Sequence, residues 1–171
     1  MYKGKNFDSK VFSSKDFSKE SFLGTTFNDC SFVNCNLSNV DFSQSSLQGV
    51  VFKECKILGV DFSKCNSLLL DFSFELSMIS MSTFSGLNLK GVSFNNCEIF
   101  DCDFIQTDLS NANFTNSNLR GSRFQNCNMR FTSFKTAINY TIDPNVNTFK
   151  KTKFSTMGIA GLLSTYDLDI E

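Results

Sequence analysis

Seven cysteines, at positions 30, 35, 55, 65, 97, 102 and 127, offer more chemistry than any other residues of this chain. Thiolates bind zinc, attack electrophiles and pair into disulfides. Cys97 and Cys102 are separated by four intervening residues, which is poor zinc spacing, and the chain has no His to complete a site. That absence also removes the commonest general base. Carboxylates could act in acid–base pairs, but the Asp residues recur singly, without a partner base. Serine is abundant, yet neither a Gly-x-Ser-x-Gly elbow nor a Gly-rich phosphate loop occurs. The chain therefore reads as a protein without catalytic, metal-binding or cofactor-binding residues.

What the cysteines share is their place in a repeat. Phe7, Phe12, Phe17, Phe22, Phe27, Phe32, Leu37, Phe42, Leu47, Phe52, Ile57 and Phe62 are each five residues apart. A second register runs Phe74, Ile79, Phe84, Leu89, Phe94, Ile99, Phe104, Leu109, Phe114, Leu119, Phe124, Met129, Phe134, and takes in Phe149 and Phe154. Phe72 still fits the first register, so all of the 21 Phe except Phe100 and Phe131 lie on one or the other. If the large apolar residue is the centre, every Cys occupies the centre-minus-two slot of its local register, where an extended chain points the same way as the centre. Cys in that slot reads as a small buried residue.

The position before the centre is often Asp or Asn (Asp16, Asn36, Asp41, Asp61, Asp103, Asp108, Asn113, Asn118, Asn128), types that bond nearby backbone at turns. Gly4, Gly24, Gly49, Gly59, Gly86, Gly91 and Gly121 all fall two after a centre, the place for a corner with positive φ. A helix would smear these centres around its surface, and a plain strand would send alternate ones to opposite faces. Short extended sides joined by tight corners fit, which makes the chain all-β. From Phe84 to Phe134 aromatic and aliphatic centres alternate, which favours four sides per coil, with two opposed Phe columns and two aliphatic ones.

A net charge of −1 implies neither a basic face for nucleic acid nor an acidic tail. Asp8 and Asp29 are expected on one face, Lys90 and Arg130 on another. The start, Met-Tyr-Lys-Gly-Lys-Asn, leads into no apolar run, and nothing approaches the roughly 18 apolar residues of a membrane span. A soluble cytoplasmic protein with reduced thiols is the expectation.

Asn111-Ala112-Asn113-Phe114-Thr115-Asn116 and Ser117-Asn118-Leu119-Arg120-Gly121 resemble the pentapeptide-repeat family. The resemblance covers residues 2–154 and implies a right-handed quadrilateral parallel β-helix of twenty residues per coil. Just under seven coils at about 4.8 Å each would make a rod about 32 Å long. Residues 1–154 would be the β-helix and 155–171 a C-terminal cap. The lattice breaks near 63–73, around Leu68, Leu69 and Leu70, which suggests a bulge or irregular corner. Beyond it, 156–165 could form a short apolar helix and 166–171 alternates like a strand. Met157, Ile159, Leu162 and Leu163 exceed what a small cap must bury and are candidate homodimer contacts. The N-terminus shows no comparable cap.

Qnr-like members of that family bind DNA gyrase or topoisomerase IV, imitate duplex DNA, and dimerise through a C-terminal helix. The tail of this chain, from Asp143-Pro144-Asn145 through Phe154 to Gly158-Ile-Ala-Gly-Leu-Leu, resembles theirs. Charge opposes simple mimicry, since a duplex 32 Å long carries roughly 19 negative charges. Two readings stay open: a solenoid that binds an unrelated regulatory partner, and a Qnr-like topoisomerase modulator. Phe100, Ile105 and Phe131 depart from the lattice and are candidates for a partner-binding patch.

Overall fold

A five-residue unit with two inward side chains must turn before it repeats, and stacked coils then pair backbone to backbone. In the computed structural model, which describes residues 2–166, 168 and 169, the chain forms a parallel β-solenoid of about seven turns. The first side carries Tyr2, Phe22, Phe42, Phe62, Phe84, Phe104 and Phe124 at its centres, and the third carries Phe12, Phe32, Phe52, Phe74, Phe94, Phe114, Phe134 and Phe154. The second side opens with Phe7, Phe27 and Leu47, and the fourth includes Ile57, Ile79 and Ile99. The four-sided arrangement read from the alternating centres is the one adopted.

Within a column the rings lie nearly parallel: Phe84 and Phe104 are 5.0 Å apart at 7°, Phe94 and Phe114 4.9 Å apart at 4°. Across the core the two columns meet edge to face, as Phe104 and Phe114 do at 6.1 Å and 86°. Both geometries suit the ring quadrupole, so one residue type satisfies neighbours in both directions. The small slot does more than fill space. Its hydroxyls and thiols donate to a centre's carbonyl in the preceding coil, as from Cys35 Sγ to Phe12 (3.4 Å), Ser45 Oγ to Phe22 (2.6 Å) and Thr132 Oγ1 to Leu109 (2.6 Å).

Corners follow the residues that precede the centres. Asp16, Asp41, Asp61 and Asp108 each accept the backbone N–H two residues on, at 2.8, 3.0, 3.1 and 2.8 Å. The hydroxyls of Ser18 and Ser43, and after them the backbone N–H groups of the same residues, hold Asp16 and Asp41 below the usual carboxylate range. The corner residue itself has positive φ, 76° at Gly91, 59° at Asn111 and 62° at Phe131 along one corner column. Glycine enters that region freely; Phe131 does so against its steric preference.

The register break is a two-residue insertion in the second side of the fourth coil. Partners on the third side are twenty residues apart, as in Phe32 with Phe52, but twenty-two apart between Phe52 and Phe74. The third-side sheet, from Val11–Ser13 through Ser31–Val33, Val50–Lys53 and Phe72–Glu75 to Ser93–Asn95, crosses the break without interruption. Phe72 corrects the reading that placed it as a centre of the first register: it pairs with Val50 and fills the small slot beside Phe74. Leu68 and Leu69 are exposed on the bulge, whereas Leu70 packs partly against the core.

The two ends differ. Small-slot side chains reach back toward the preceding coil, which the first coil lacks, and there the slot holds exposed Lys5, Lys10, Lys15 and Glu20. Charge of this kind at a sheet edge discourages strand addition. At the other end Tyr140 lies over Phe134 and Phe154, at 5.6 and 5.8 Å, and Ile142 N–H donates to the Gly161 carbonyl at 3.0 Å. The helix there, Ala160–Leu163, is shorter than the apolar run suggests. The strand expected over 166–171 is not formed at Leu168 and Asp169, which are exposed, and residues 167, 170 and 171 lie outside those described.

Candidate interaction surfaces

All seven cysteines are buried free thiols. Burial pushes Cys55, Cys65 and Cys102 up to about 12 and Cys97 and Cys127 to about 11, from 9.0. A nucleophilic or metal-binding thiol needs the opposite shift. Among the described residues, no group of three or more Cys, Asp or Glu side chains is placed to hold a metal ion. Asp16, Asp41, Asp61, Asp108 and Asp143 accept the backbone N–H two residues on, and Asp103 is held by Arg123.

That surface is uneven. Phe100 sits half-buried on the fourth side, with the Arg120 guanidinium 4.9 Å from its ring centre. Ile105 is one corner away on the first side, so the fold brings these two near each other. Phe131 occupies the corner between the second and third sides, diagonally across the rod from them, and is 43% exposed. The residues that accompany Phe100 escaped the sequence reading: Met78 and Met81 on the fourth side and Leu76 at its leading corner, 48%, 65% and 48% exposed. Their outward direction follows from the register through Phe74 and Ile79, in which Leu76, Met78 and Met81 all fall off the inward positions. Of the C-terminal candidates, Met157 and Ile159 are well exposed, at 92% and 52%, while Leu162 packs against the core and Leu163 is half-buried.

Charge is distributed differently from the expectation. The insertion keeps the later centres in column, so Lys90 and Arg130 share the second side with Asp8 and Asp29 rather than lying on another face. Near-neutral net charge therefore conceals a side that is acidic early and basic late. Three ion pairs form among the described residues: Lys53 with Glu75 (3.3 Å), Lys64 with Asp61 (3.2 Å) and Arg123 with Asp103 (2.6 Å). None involves the charges of the second side. No helix of the described residues is long and apolar enough to cross a membrane.

Comparison with known proteins agrees with this geometry. The family model described as "Pentapeptide repeat region" matches residues 6–77 and 25–100, and "Pentapeptide repeats (8 copies)" matches 97–135. Among solved structures the chain is similar to two trypsin-treated variants of QnrB1, a plasmid-mediated fluoroquinolone resistance protein. They are 15% and 18% identical, with TM-scores of 0.47 and 0.44, over 99% of this chain and 97% and 96% of theirs. It is also similar to HetL of the cyanobacterium Nostoc sp. strain PCC 7120, involved in heterocyst differentiation regulation. There the identity is 15% and the TM-score 0.34, over 80% of this chain and 63% of that one. Likeness at this level says nothing of partners. No curated protein matches the sequence.

Proposed function

Because the chain belongs to the pentapeptide-repeat family, we propose that it is a non-catalytic rod that binds a regulatory protein partner through its outward sides. One observation carries this reading: Leu76, Met78 and Met81 are exposed along the fourth side of one coil, and Phe100 lies half-buried on the next coil, paired with Ser80. Contiguous exposed apolar side chains on a soluble protein mark contact sites, and Met adapts to varied partners. Phe100 and Ile105 extend the patch around the corner; Phe131 serves a separate contact or none. Met157 and Ile159 supply homodimer contacts at the C-terminal end, with Leu162 and Leu163 holding the cap in place. The buried thiols suit a reducing, cytoplasmic setting.

The test is affinity capture from the source cell with the native chain and with Met78→Ser, Met81→Ser and Phe100→Ser combined, alongside Phe100→Ser with Ile105→Ser. A partner retained by the native protein and lost by both folded variants supports the fourth side. Equal capture by all three removes it.

A second reading is a Qnr-like modulator of DNA gyrase or topoisomerase IV. It is favoured by the tail, where Phe154 continues the third-side column and the Gly158–Leu163 segment closes the rod. The lack of an acidic stripe weighs against charge mimicry. Gyrase supercoiling with and without a fluoroquinolone decides it: restored supercoiling under drug establishes this reading, and no effect at tens of micromolar protein dismisses it.

A further inference from the structure

The second side carries its charges in an order that a second copy of this chain would complement. With Lys5 in the open slot of the first coil and Asp108 bonded within its own chain set aside, successive coils present Asp8, then Asp29, then in the fourth coil Asp71 at the corner, followed by Lys90, Arg130, and finally Lys150 with Lys151. Asp8, Asp29, Asp71, Lys90, Arg130, Lys150 and Lys151 are all exposed, and none takes part in an ion pair among the described residues. The order reverses sign about a point between the fourth and fifth coils.

We infer that the chain self-associates antiparallel through its second side. A two-fold axis in the interface, perpendicular to the rod and between the fourth and fifth coils, sets each coil of one copy against its mirror-numbered coil in the other. Asp8 then faces Lys150 and Lys151, Asp29 faces Arg130, and Asp71 faces Lys90. Every contact occurs twice, as an isologous interface requires. The third and sixth coils, which meet each other, bring Gln48 against Ser110, with Asp108 of the sixth coil already bonded to Ser110 and Asn128 of its own chain. A parallel pairing would set carboxylate on carboxylate and cation on cation, so the charges select one orientation.

The bulge fits the same axis. Leu68 and Leu69, 71% and 68% exposed, are the large apolar residues that project from this side in the fourth coil. They lie within about half a coil, or about 2.4 Å along the rod, of the proposed axis. The leucines of the two copies would meet there and hold the sides apart, a gap that Lys and Arg are long enough to span. A side about 38 Å by 10 Å buries roughly 400 Å² per copy, below the standard size of specific interfaces. The association is accordingly weak and sensitive to salt. It does not depend on the C-terminal contacts or on the partner proposed above.

Sedimentation velocity over a wide concentration range, at low and high salt, tests this on the full chain carrying Met157→Asp and Ile159→Asp to remove the C-terminal contacts. Dimers that weaken with salt are expected. Asp29→Lys or Arg130→Asp alone should weaken dimerisation at least tenfold. The double swap in one chain, or an equimolar mixture of the two single variants, should restore it. Lys is tolerated at such a corner, since Lys19 and Lys151 adopt φ of 62° and 53° there. Circular dichroism checks that each variant stays folded. A monomer at every concentration, single reversals without effect, or a folded swap that fails to restore dimers would each overturn the inference.

Discussion

The fifth to seventh coils and the closing segment around Tyr140 solve the same problem, burial of an aromatic face, by opposite means. In the coils the rings stack on like rings at about the same spacing, 5.0 Å for Phe84 on Phe104 and 4.9 Å for Phe104 on Phe124, where the first-side column ends. One solution is repeated, and each coil needs only its neighbours. The closing segment has no neighbour to copy and depends on single fits. A Cβ at Gly161 would collide with the Tyr140 carbonyl, and one at Gly158 with its hydroxyl oxygen. Among the described residues that hydroxyl is buried without a hydrogen-bond partner, a cost the coils avoid where the ring is Phe. Repetition gives robustness, and termination gives specificity at the expense of tolerance.

Removing one ring from the repeat should break this comparison most. Phe104→Ala leaves a cavity with rings on both sides and is expected to cost about 3–5 kcal/mol, measured by chemical denaturation. A much smaller loss would mean that adjacent coils collapse into the gap. Gly161→Ala overpacks the cap and should cost about 1–3 kcal/mol. Native-state hydrogen exchange should place its effect near residues 134–154, with amides around 94–114 unchanged. Faster exchange throughout would show that cap and coils form one cooperative unit.

Alkaline pH separates the regions more gently. Every Cys lies in the repeat, and burial raises five of their thiols to about 11 or 12. The unfolded thiols ionise first, near their ordinary 9.0, so stability is full below that pH and declines as pH rises toward the folded values. Each such thiol contributes up to about 1.4 kcal/mol per pH unit in that window. Melting temperatures should therefore fall between pH 9 and 11, and fall less in a Cys55→Ser, Cys102→Ser variant. An equal fall would assign the alkaline transition to other groups.

Much of the rod was legible because its rule is short-range. The Phe spacing, the Asp and Asn that bend the corners, and the glycines two past each centre all act within one five-residue unit. The cysteines were placed correctly in the small slot, although their bonds to carbonyls of the preceding coil join residues 23 apart, which no local pattern displays. Phe72 was misplaced for the same reason: spacing alone cannot say whether a Phe after an insertion is a centre or a slot residue.

The amino-acid sequence by itself determined the repeat, the number of sides and the inward or outward direction of most side chains, since backbone alternation and turn chemistry operate over a few residues. The tertiary structure alone decided which distant residues share a side. It absorbed two extra residues in a single bulge, put Lys90 and Arg130 in line with Asp8 and Asp29, and set Phe131 across the rod from Phe100. Column membership depends on the whole length of every intervening coil, and one local insertion resets it for everything that follows.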